Sequence, residues 1–156
     1  AKAREATLKR RRAYELTLQL QRSLPDAMAS YDREKEKDRQ DAAEFISRYA
    51  QGAKRVQDIV DCVSQAIDRR VAELNRRLRE AGGLQATGDV YQPIETEKAS
   101  LADLRRELAD LPFQVANFQT TPGQAESMIA GALAGRRNLE GVFQECARSA
   151  RPAQSR

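Results

Sequence analysis

Residues 53–81, which read AKRVQDIVDCVSQAIDRRVAELNRRLREA, decide the fold. Apolar side chains recur there every three or four residues, so they lie on one stripe of a helix. The stripe consists of Val56, Val60, Val63, Ile67, Val71, Leu74 and Leu78. Arginine and glutamate occupy the opposite face, and the glycine pair 82–83 provides a stop. The pattern predicts an amphipathic helix against which the other elements pack.

The same helical phase extends towards the N-terminus. Positions 28, 31, 35, 38, 42, 45 and 49 alternate by three and four residues; Met28, Tyr31, Ala42, Phe45 and Tyr49 fill the phase, and Lys35 and Asp38 interrupt it. Residues 23–26, Ser-Leu-Pro-Asp, are typical of a helix start. We therefore predict one long helix over about residues 24–81, with two helices hinged near Gly52 as the alternative.

Two return helices are predicted after this helix. Residues 82–99 form a long non-helical connection, and Ser100 with Asp103 caps a helix that Pro112 ends. Thr121 and Gln124 then form a capping box, with Pro122 at the first helical position. The last helix is expected to run to about residue 149.

These elements predict an all-α protein, an elongated antiparallel helical bundle with coiled-coil character. The composition agrees, because 32% of the residues are charged and only 5% are aromatic. We expect three segments: a basic helical arm at 1–22, the bundle at 23–150 and a disordered tail at 151–156.

The positive charge is concentrated at the two ends of the sequence. The net charge is +4, yet residues 1–12 alone contain six basic side chains against Glu5. The six are Lys2, Arg4, Lys9, Arg10, Arg11 and Arg12. Since the middle of the chain is net acidic, the basic pI of the whole chain does not indicate a nucleic-acid-binding bundle. Only the arm is a candidate for contact with phosphate or an acidic partner.

Residues suited to catalysis are scarce. The chain has no histidine, and its acidic residues lie beside Lys or Arg on predicted polar faces. Cys62 and Cys146 lie on or near apolar faces, which favours two small buried hydrophobic residues, with a disulfide as the alternative. We expect no enzymatic activity, no cofactor and no metal site.

Small residues mark the last predicted helix. Gly131 and Gly135 are four apart, which predicts close approach to a neighbouring helix. With Met28, Tyr31, Phe45 and Tyr49 they form the predicted protein interface.

The main functional hypothesis is a non-enzymatic structural or adaptor protein of a larger assembly, which binds other proteins or a second copy of itself. One alternative is a nucleic-acid-associated assembly protein that uses the basic arm. A second alternative is a protein that binds anionic membrane surfaces. No apolar run is long enough to span a membrane, and the expected location is the cytoplasm.

Overall fold

The computed structural model describes residues 2–153, apart from the side chain of Leu20. The α-helices are α1 (Lys2–Glu80), α2 (Gly88–Ala109), α3 (Leu111–Ala116), α4 (Pro122–Leu133) and α5 (Val142–Ser149). Short 3₁₀ turns span Gly83–Gln85 and Arg137–Leu139. The described residues include no strand, so the predicted all-α bundle class is confirmed.

The chain divides into two compact units. Unit 1 is Ala1–Phe45, and among its residues 2–19 and 21–45 none is buried. Unit 2 is Ile46–Arg156 and contains the buried core. Helix α1 supplies the whole described part of unit 1 and the central helix of unit 2. The last three residues of the predicted tail, 154–156, lie outside the described residues.

The predicted start of the long helix near residue 24 is wrong. Helix α1 already begins at Lys2 and passes through Pro25 without interruption. Proline has a φ close to that of a helix, and its cost comes from one lost hydrogen bond and crowding of the preceding turn. That cost is of the order of 3 kcal/mol, which a helix of 79 residues can sustain. The predicted end was accurate to one residue.

Helix α1 is also continuous through Gly52, so the hinge alternative is wrong. Gly52 is buried, and a Cβ atom placed on it would lie 2.7 Å from Cβ of Pro122 and closer still to its Cγ. The glycine is therefore required by the packing of α4 against α1. The predicted capping box begins this same helix: Gln124 N–H donates to Thr121 Oγ1 at 3.1 Å, and Thr121 N–H donates to Gln124 Oε1 at 3.2 Å.

The core of unit 2 is aliphatic and forms one cluster. Its fully buried side chains are Val56, Ile59, Val63, Leu104, Val115, Ala125 and Ile129. Helix α2 runs antiparallel to α1, because Arg70 pairs with Glu97 while Asp68, earlier in α1, pairs with Arg105, later in α2. The predicted stripe on α1 thus meets the return helices, as expected.

The predicted non-helical connection over 82–99 is wrong beyond residue 87. Helix α2 begins at Gly88, after an extended Thr87, and includes Pro93. Burial of Ile94 explains the extension, because this residue lies on the same helical face as Leu101 and Leu104. The predicted cap at Ser100 is consequently inside a helix. Pro112 lies at the start of α3, while α2 already ends at Ala109.

The predicted last helix is two helices. Helix α4 ends at Leu133 and α5 begins at Val142. Gly135 and Gly141 between them have φ values of +77° and +76°, which glycine adopts without steric cost. The return part of the bundle therefore contains four α-helices where two were predicted.

The two cysteines form a disulfide, which corrects the preferred interpretation of two unpaired buried residues. The Cys62–Cys146 bond has a Cα–Cα distance of 5.6 Å and joins α1 to α5. Cys146 is only 2% exposed. The bond closes a loop of 84 residues within unit 2, so it links the central helix directly to the last one.

Candidate protein-interaction surface

Unit 1 exposes large apolar side chains along its helix. Seven large apolar side chains there are 53–65% exposed: Leu8, Tyr14, Leu16, Leu24, Met28, Tyr31 and Phe45. Four of them, Leu24, Met28, Tyr31 and Phe45, lie on one side of α1, and we call these four the unit 1 apolar face. Scattered exposed apolar residues are normal on a protein surface, whereas a set that recurs along one helix is a candidate interaction surface.

Charged residues divide this face in its middle. Lys35 Nζ lies 5.6 Å from the centroid of the Tyr31 ring, a cation–π contact one turn apart. Arg39 pairs with Glu36 at 3.7 Å, and Gln40 Nε2 donates to Glu36 Oε1 at 3.4 Å. Such local pairs contribute only a few tenths of a kcal/mol each. They help this stretch to stay helical in water without a packed core.

The six residues of the basic arm are all exposed on the first turns of α1. They are Lys2, Arg4, Lys9, Arg10, Arg11 and Arg12. The arm therefore presents its charge to solvent.

The other predicted interface residues lie in unit 2. Tyr49 is half-buried, and its ring centroid is 4.9 Å from that of Phe118. Gly131 is exposed in α4, but Gly135 lies beyond the end of that helix. A Cβ atom on either glycine would meet nothing within 4 Å. The two glycines therefore share no helix face and make no close approach within the chain; an interface with another protein there stays a prediction.

A polar cluster joins three elements of unit 2. Arg70 on α1 donates twice to Glu97 on α2, with N–O distances of 2.6 and 3.0 Å. Asn138 of the second 3₁₀ turn donates to the same carboxylate at 2.8 Å. The hydrogen bond from Arg70 lowers the pKa of Glu97 against the opposing effect of burial, and the same bond raises the pKa of Arg70. The cluster orients α2 on α1.

A second polar cluster holds the end of the described chain. Arg55 on α1 donates to Glu126 on α4 at 3.0 Å and to the carbonyl oxygen of Arg151 at 2.9 Å. Arg151 in turn pairs with Asp58 at 3.1 Å. Sequence periodicity did not reveal either cluster, because it shows which face a residue lies on but not which side chain it meets.

The surface of unit 2 contains one groove between α1 and α2 with several charged residues. It has a volume of about 570 Å³, and Asp68, Lys98, Arg105 and Arg106 are among its lining residues. Arg105 bonds to Asp68 and donates to the carbonyl oxygen of Ser64 at 3.1 Å. Arg105 and Asp68 therefore join the two helices, whereas Lys98 and Arg106 pair within α2.

Two further features concern metals and membranes. Within residues 2–153, no three Cys, Asp or Glu side chains converge as a metal site requires. None of the helices in the same range combines the length and the apolar character needed to cross a membrane.

Comparisons with protein-family models, with curated proteins and with solved structures found no match to this chain.

Proposed function

We propose that this chain is a non-enzymatic structural or adaptor protein that binds protein through the unit 1 apolar face. The observation that carries the proposal is the exposure of the four large apolar side chains of this face. A second protein surface would remove them from water, at a gain of about 25 cal/mol for each Å² of apolar area buried.

Helix energetics support the proposal. Helices obtain most of their stability from tertiary packing of an apolar face, and local propensity alone is marginal. None of the described residues of unit 1 is buried, so this part of α1 has no buried apolar face. A partner that covers the apolar face would supply such packing.

The experiment compares capture of proteins by the full chain and by a Met28→Glu/Tyr31→Glu variant in extracts of the source organism. Both substitutions introduce glutamate, which is a good helix former, so they place charge on the apolar face without lowering helix propensity. We expect the variant to lose the proteins that the full chain retains. The matched control is Arg33→Glu/Lys37→Glu, which changes two exposed charged residues of the same helix.

Two outcomes of that experiment contradict the proposal. One is capture that is unchanged by the Met28→Glu/Tyr31→Glu variant. The other is equal loss with the control variant, because the interaction would then depend on charge and not on the apolar face. Circular dichroism of each variant shows whether the helix is preserved.

The exposed basic arm favours a second candidate function, binding to nucleic acid. Six cations that each contact a phosphate would give a slope of about −5 in a plot of log K against log salt concentration. Fluorescence anisotropy with duplex DNA or RNA measures this slope, and deletion of residues 1–12 should abolish binding. Binding that persists after the deletion excludes the arm. Sedimentation with anionic and neutral vesicles tests the membrane-surface alternative in the same variants.

The disulfide is relevant to the cellular compartment in which the protein functions. The sequence alone favoured the cytoplasm, but stable disulfides persist in oxidising compartments and are rare in the cytosol. We propose that the protein functions where the Cys62–Cys146 bond is maintained. Alkylation of the protein in intact source cells, followed by mass spectrometry, tests this. Free thiols at both positions would restore the cytoplasm as the proposed location.

A further inference from the structure

We propose that residues 28–45 form an antiparallel helical pair with the same residues of a second copy of this chain. The inference rests on the proposed function and names the partner of the unit 1 apolar face. It follows from the spacing, the exposure and the charge of the residues along this segment.

The segment has the spacing of a two-helix seam. Positions 28, 31, 35, 38, 42 and 45 alternate by three and four residues, which places them on one side of a helix that faces a single partner. All six side chains are exposed. The same alternation continues in sequence to Val56, Ile59 and Val63, which are fully buried in unit 2. A seam of this spacing is thus already used for packing elsewhere in the chain.

The charged pair within the seam determines the direction of the partner. In a parallel pair each seam residue faces its own copy, so Lys35 would face Lys35 and Asp38 would face Asp38. In an antiparallel pair, Lys35 can face Asp38 of the second copy. Opposite charges then meet at two symmetric places, whereas the parallel arrangement brings like charges together.

The same register matches the apolar residues. When Lys35 faces Asp38 of the second copy, the two-fold axis lies between residues 36 and 37. Met28 then faces Phe45, and Tyr31 faces Ala42. Each large side chain on the apolar part of the seam meets an apolar residue, and the bulk of Tyr31 lies opposite a methyl group. One register therefore satisfies both charge and volume.

The charged positions beside the seam give both attractive and repulsive contacts. In this register Asp32 is near Arg39 of the second copy, which is attractive, while Glu34 is near Asp41, which is repulsive. These flanking positions are more exposed to water than a covered seam, so their interactions are weaker. The orientation is decided by Lys35 and Asp38.

The test is a charge-swap series on the full chain, measured by sedimentation and light scattering from micromolar to millimolar concentration. We expect a dimer of twice the 17.5 kDa chain mass. Lys35→Asp and Asp38→Lys should each raise the dissociation constant by roughly tenfold or more, because like charges then meet in the seam. The double variant should restore it to within about threefold of the original value. Lys37→Asp, on the outer side of the helix, is the matched control and should have little effect.

Cross-linking of introduced cysteines determines whether the two helices of the pair are parallel or antiparallel. Chains carrying only Met28→Cys are mixed with chains carrying only Phe45→Cys and oxidised gently. An antiparallel pair gives the cross-linked product in the mixture, whereas a parallel pair gives it in each sample alone. A parallel product, or a monomer at millimolar concentration, overturns the inference. A monomer that still captures other proteins through Met28 and Tyr31 would overturn the self-pairing alone and leave the proposed function standing.

Discussion

Unit 1 and unit 2 both contain part of α1, yet the apolar side chains of that helix have different environments in the two units. In unit 2, Val56, Ile59 and Val63 are fully buried beneath the return helices. In unit 1, Met28 and Tyr31 have 57% and 60% of their surface exposed. The comparison shows that one helical phase serves as core or as surface according to whether another element packs on it. Substitutions in the two units should therefore have very different effects on folding.

The largest expected effect is loss of the disulfide, which constrains unit 2 alone. The chain-entropy model gives about 4.5 kcal/mol for a closed loop of 84 residues. We expect the Cys62→Ser/Cys146→Ser variant to lower the free energy of unfolding in urea by that order. Reduction of the original protein is the control, since it should have the same effect without a substitution. An unchanged unfolding midpoint would show that the bond does not constrain the bundle.

Truncation of a core side chain should be nearly as costly. Ile59→Ala removes a fully buried side chain and should reduce the free energy of unfolding by about 3 kcal/mol. Met28→Ala, at an exposed position of the same helix, is the matched control and should cost under about 0.5 kcal/mol in dilute solution. Urea denaturation followed by circular dichroism measures both. Equal costs would mean that the two units do not differ in packing.

Two glycines of unit 2 differ in the space around them: an added methyl group would meet a close neighbour at Gly52 and open space at Gly131. Gly52→Ala places a methyl group against Pro122, so we expect a loss of about 2 kcal/mol despite the better helix propensity of alanine. Gly131→Ala adds a methyl group in open space and should gain about 0.5–1 kcal/mol. Thermal unfolding of the two variants should therefore shift in opposite directions. A gain in both would contradict the tight packing at Gly52.

The smallest expected effect concerns the Arg70–Glu97 pair. Because the pKa of Glu97 is lowered in the folded state, its contribution is fully present above its ordinary value of 4.5. The contribution is lost as the pH falls through the lowered folded pKa. We expect Glu97→Gln to cost roughly 1 kcal/mol at neutral pH and less in acid. Urea denaturation at neutral and acidic pH measures it, with the exposed Glu36→Gln as control. A loss of stability that does not change with pH would show that the ionised Glu97 carboxylate is not the source of the stabilisation.

Local patterns in the sequence identified much of the fold. The stripe from Val56 to Leu78 predicted the central helix, and the Thr121–Gln124 capping box is present as expected. Both depend on near neighbours along the chain, so a single sequence reveals them. The basic arm and the helical phase from Met28 to Phe45 are likewise recognisable from the sequence, by charge and by spacing.

Other features depend on contacts between distant residues. Pro25 and Gly52 weaken a helix in isolation, but α1 passes through both. The contact with Pro122 in the tertiary structure explains why position 52 is a glycine. Helix α2 begins twelve residues before the predicted cap because Ile94 finds a place in the core. The pairing of Cys62 with Cys146 and of Arg70 with Glu97 also required the tertiary structure. Periodicity determines which face a residue occupies, whereas packing determines what that face meets.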